Sequence, residues 1–102
     1  MEKKYSPWGK IQHSTNITPW MLEVSTASHG GIKVDRKHNS LIPKEYRRKS
    51  GWYEEDCDWI IVYRFLGNSI MNECFDKSRI NELYETEYIS ETFNRYVQNQ
   101  YT

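Results

Sequence analysis

The chain has 102 residues with no net formal charge, and 37% of them are hydrophobic while 15% are aromatic. That length fits one small domain and excludes two independent cores, and the aromatic share argues against a disordered chain and predicts a core filled by Trp, Tyr and Phe. The longest apolar run, Trp59 to Phe65, is interrupted by Arg64 and falls far short of the roughly 20 residues that cross a bilayer, so no membrane partner is expected.

Residues 1–6 read as a mobile lead-in, and residues 7–102 as the domain, with Trp8 as its first anchor. The lead-in carries two lysines with no apolar segment behind them, which does not make a secretory signal and predicts a cytoplasmic protein. Residues 10–16 and 21–26 read as strands, the second placing Leu22, Val24 and Thr26 on one side, with Thr18-Pro19-Trp20 as the turn between. A turn at Ser28-His29-Gly30-Gly31 leads into a third strand, 31–34, completing an antiparallel meander. Asp35 is placed to cap a short helix from Arg36, and Pro43 to open another through Arg48 that Gly51 stops. The β-branched and aromatic run from Trp59 to Phe65, closed by Gly67-Asn68, reads as a strand central in the sheet. From Ser78 onward Ile80, Leu83, Tyr84, Tyr88, Phe93, Tyr96 and Val97 recur at helical spacing. The predicted class is α+β: a small antiparallel sheet of about four strands, short helices and a helical C-terminal segment.

Two polar segments are not explained by core packing. In Ser25, Thr26, Ser28, His29, Gly30 and Gly31, the glycines suit positive φ and close backbone approach, and the hydroxyls and imidazole supply donors for an anion. A tight hairpin turn uses the same glycines without any ligand. In Trp52, Tyr53, Glu54, Glu55, Asp56, Cys57 and Asp58, four carboxylates surround a thiol. They lack the spacing of a calcium loop, so no metal or other cofactor is predicted. The alternative for these acids is docking onto the chain's own basic stretch, Arg36 to Lys49. Cys57 with His29 and a carboxylate would be the parts of a thiol hydrolase or transferase, against which stands the usual burial of a cysteine beside an apolar run. Cys57 and Cys74 are too few for a disulfide framework, and neither they nor His13 and His38 have zinc spacing.

Charge is uneven: residues 1–50 hold ten Lys/Arg against four Asp/Glu, and residues 51–102 the reverse. A basic band of Lys33, Arg36, Lys37, Lys44, Arg47, Arg48 and Lys49 offers phosphate contacts, Arg47 and Arg48 foremost, but the equal acidic charge disfavours duplex nucleic acid. The aromatic tail is a candidate homodimer contact.

Trp8-Gly9 with Gln12-His13, Val24 through Ile32, Ile42-Pro43 and Trp52 through Trp59 together resemble a domain family of small proteins and terminal domains encoded by phages, plasmids and other mobile elements. The resemblance covers roughly residues 7–66 and leaves the helical tail outside it. It implies a genomic context rather than a chemistry. Small accessory proteins of such elements often counter host defences, so the expected function is non-enzymatic binding in the host cytoplasm, masking a defence protein or sequestering a nucleotide signal. A structural interaction module and the Cys57/His29 enzyme are the alternatives.

Overall fold

The computed structural model describes residues 3–78 and 86–101. The elements in order are β1 (Tyr5–Ser6), β2 (Gly9–Lys10), β3 (His13–Thr18), β4 (Met21–Ser25), β5 (Gly30–Val34), α1 (Arg36–Asn39), β6 (Trp52–Glu54), α2 (Trp59–Glu73) and α3 (Thr86–Tyr101). β1 and β2 make a two-stranded ribbon, and the main sheet is antiparallel in the order β3-β4-β5-β6. The expected α+β class and meander are both present.

Register decides what each face carries. Met21 lies opposite Val34, Glu23 opposite Ile32, and Ile32 in turn opposite Tyr53, so these side chains share one face. That face, Glu23 apart, packs on Ile60, Ile61, Leu66 and Ile70 of α2 and on Ile89 and Phe93 of α3. Each fully buried aliphatic side chain there contributes about 1.5–3 kcal/mol. Leu22 and Val24 are buried on the opposite face. The indole of Trp8 covers part of that face: it lies against Gly31 and meets Trp52 edge-on at 5.6 Å. The N-terminal ribbon is thereby fixed to the sheet.

Local chemistry accounts for the connections. The Thr18 hydroxyl accepts from Trp20 N at 3.1 Å and shapes the β3–β4 turn. Asp35 caps α1, its carboxylate accepting from His38 N at 2.8 Å. No second helix follows Pro43. Tyr46 N and Arg47 N both donate to Pro43 O in a single turn, and Gly51, at φ 78°, reverses the chain into β6.

The Trp59–Phe65 segment is the main correction. It is not a central strand but the opening of α2, which runs on through Gly67-Asn68 to Glu73. The fourth strand is the three-residue Trp52–Glu54 at the sheet edge. A short apolar run with β-branched residues reads equally as a strand or as a helix buried on several sides, and here Ile60, Ile61, Val62 and Tyr63 are all buried. The helical periodicity is found over Tyr88, Phe93, Tyr96 and Val97 in α3; Ile80, Leu83 and Tyr84 lie outside the described residues. No helix among the described residues is long and apolar enough to cross a membrane.

Candidate functional site

The β4–β5 turn is closed by Thr26. Its backbone N–H donates to His29 O at 2.7 Å, its hydroxyl donates to the same carbonyl at 3.0 Å, and the hydroxyl accepts from His29 N at 3.1 Å. Gly30 and Gly31 do not form this turn. Both lie within β5, and the glycines with positive φ are Gly9 and Gly51. Close approach is what requires them: a Cβ on Gly31 would enter the Trp8 ring, and one on Gly30 would stand 2.5 Å from Glu55 Oε2.

β5–β6 pairing joins the two polar segments. Gly31 lies opposite Glu54, and Glu55 N donates to Gly30 O at 3.1 Å. Alternation then divides the acids between the sheet's two faces. On one side, His29 Nδ1 lies 3.8 Å from Glu54 Oε1, and Asp56 completes a trio whose potential ligand atoms fall within 4.8 Å of one another. An imidazole and two carboxylates at this spacing are able to hold a divalent cation. On the other side, Glu55 faces a cleft of about 260 Å³ beneath the helices, lined also by Glu23, Ile32, Trp59, Tyr63 and Tyr88. Trp59 and Tyr63 meet edge-on at 5.6 Å there.

Cys57 belongs to the first side but not as a partner of His29. Its thiol donates to Glu54 Oε2 at 3.7 Å. Burial, and after it the charges of Asp58 and Glu54, push its pKa up to about 11. The thiolate a nucleophile needs is disfavoured.

Most of the remaining predicted residues have structural duties. Tyr53 is fully buried, so it is a core residue and not a surface contact. Its hydroxyl donates to Asn39 Oδ1 at 2.5 Å and accepts from Arg48 N at 3.1 Å. Trp52 is half-buried beside Trp8, with Lys33 Nζ 5.4 Å from its ring centre. Arg48 grips Asp58 through Nη2 at 2.7 Å and Nε at 3.3 Å, and reaches Tyr96 Oη at 3.1 Å. Arg47 donates to the carbonyls of Ile42 and Ser40. Acid-to-base docking within the chain therefore accounts for Asp58, and both guanidinium groups are engaged internally. Ser25 is half-buried in the ladder, while Ser28 and His29 are exposed at the turn.

The aromatic cleft was not legible from the sequence because Trp59 and Tyr63 read as strand residues. One signal pointed to it: Glu23 interrupts β4 on the face that otherwise enters the core.

Over residues 1–102 the chain matches the family described as Domain of unknown function (DUF7007), and it belongs to that family. The match takes in the helical tail as well as residues 7–66. No curated protein and no solved structure matches the chain.

Proposed function

Taking that membership as the starting point, we propose that the chain is a non-enzymatic binding protein of a phage or other mobile element that counters bacterial immunity in the host cytoplasm. It acts by masking a defence protein, with sequestration of a nucleotide signal as the second form of the same reading. The observation that carries the binding reading is the junction of the polar turn with the acidic segment. His29, Glu54, Glu55 and Asp56 stand together at one end of the sheet, where folding has no need of so many polar groups. The mobile-element context rests on the motif resemblance.

Two features favour masking over nucleotide capture. The Thr26 donors that an anion would use are spent on closing the turn, and carboxylates surround that turn while Arg47 and Arg48 bond within the chain. The environment of Cys57 speaks against the hydrolase alternative. The test is plating efficiency of a defence-sensitive phage on bacteria carrying single defence systems and expressing the chain. Restored plaques with wild type, lost with a folded His29→Ala/Glu54→Gln variant, are the expected result. Unchanged plating across the whole panel of systems would sink the proposal, and calorimetry against cyclic and linear nucleotides separates its two forms.

A further inference from the structure

The end of β5 away from the polar turn carries the opposite charge, and we infer that the cleft there binds a phosphoryl anion, with a diphosphate as the fitting occupant. Lys33 of β5, Arg36 of α1 and Lys49, which precedes β6, come from three segments to line one cleft of about 240 Å³, and no carboxylate of the described residues lines it. Lys33 lies opposite Leu22 and Trp52 in the sheet, so by alternation it belongs to the face that Trp8 covers and not to the face that packs on α2 and α3. The inference is independent of the anti-defence reading, because it uses none of the residues around His29.

The cations are arranged to serve an anion. Lys33 Nζ donates to Ser50 O and lies 5.4 Å from the centre of the Trp52 ring, so the ammonium is positioned and keeps two further protons to donate. Burial, and after it the charge of Lys3, lower its pKa, and an anion beside it offsets both effects. Gly51 leaves room for it, since a Cβ there would stand 2.9 Å from Nζ. Arg36 and Lys49 are exposed and make no ion pair among the described residues. Asp35, the acid next to Arg36, is engaged with His38 instead, its carboxylate 2.8 Å from both the backbone N and Nδ1. Ser50 Oγ accepts from Trp52 N at 3.3 Å, which leaves its own proton for a ligand. Three cations around so small a space call for more than one negative charge. A carboxylate brings one, whereas a phosphate brings about 1.5–2 at pH 7 with three acceptor oxygens, and a guanidinium pairs with it through a planar fork. The cleft volume lies below the roughly 300–1,000 Å³ of sites that enclose whole small molecules, so it takes the phosphates and leaves any larger remainder outside.

The experiment is calorimetry of the full chain with inorganic pyrophosphate, run beside ADP, citrate and a short DNA duplex, while NMR follows the Ser50 and Gly51 amides. One saturable site that shifts both amides is expected, with a dissociation constant on the order of 100 µM in about 50 mM salt and weaker binding at about 200 mM. Arg36→Gln and Lys49→Gln should each weaken pyrophosphate roughly tenfold. Lys44→Gln removes the same charge from the same basic stretch outside the cleft and should change binding by less than about twofold. All three positions are exposed, so the variants should keep the wild-type Tm. ADP binding as tightly as pyrophosphate assigns the cleft to a diphosphate carried on a larger molecule, and ADP roughly tenfold weaker assigns it to the free anion. No saturable heat, or a loss with Lys44→Gln equal to that with Arg36→Gln, would overturn the site. Citrate binding as tightly as pyrophosphate would overturn the phosphoryl assignment, and tighter binding of the duplex would overturn the small anion.

Discussion

Glu54 stands between His29 and Cys57: one carboxylate oxygen lies 3.8 Å from the imidazole Nδ1, and the other accepts the thiol at 3.7 Å. A nucleophile and base would need the imidazole on the sulfur. Here a carboxylate occupies that place, and it opposes ionisation of the thiol.

Cys57 should therefore react slowly with iodoacetamide. With its pKa pushed up to about 11 from an ordinary value of 9.0, its thiolate fraction near pH 7.5 is roughly 100-fold below that of an unperturbed cysteine. Alkylation followed by mass spectrometry should show the rate climbing only toward pH 11, and Cys57→Ala should keep the binding activity. Rapid modification at pH 7.5 would contradict this arrangement. The folded-state pKa lies above the ordinary value of 9.0, so the folded chain holds this proton to higher pH than the unfolded one. Its contribution to stability is complete below about pH 9 and is lost as pH rises through about 11.

Tyr53→Phe should destabilise the fold by about 1–3 kcal/mol. The hydroxyl satisfies Asn39 Oδ1 and Arg48 N inside the core, and its removal leaves buried polar groups without a partner. Urea denaturation should show a lower midpoint with an unchanged slope. A midpoint equal to wild type would mean that water replaces the hydroxyl.

Gly31→Ala should cost about 1–3 kcal/mol through overpacking. The added methyl would enter the Trp8 ring and stand 2.6 Å from the Tyr53 carbonyl oxygen. For a domain of this size each kcal/mol lowers Tm by roughly 4–8 °C, which calorimetry resolves. Adding Trp8→Ala should restore only part of the loss, because the Tyr53 backbone stays in place.

His29→Ala and Glu54→Gln should shift stability by no more than about 0.5 kcal/mol, since both side chains are substantially exposed and their contact is screened by solvent. Phage plating should nevertheless be lost. A large fall in Tm with plating retained would identify the pair as scaffolding.

Much of this fold was legible because its causes are local. The alternation of Met21–Ser25, the strand ending at Val34, the turn at Pro19-Trp20 and the Asp35 cap each depend on residues within a few positions of one another. The closeness of the two polar segments depends on the pairing of Gly31 with Glu54, twenty-three positions away. Trp59–Phe65 shows why local reading fails: β-branched residues buried on several sides carry no clear period, and packing against the sheet makes them helical. Sequence alone determined the class, the meander and the two polar segments. Tertiary structure decided that the glycines serve close approach rather than a turn, that Arg48 pairs with Asp58 and Tyr53 is buried, and that Glu23 and Glu55 line one cleft with three aromatic rings. Each of those outcomes rests on contacts between distant segments, which are fixed only when the core closes.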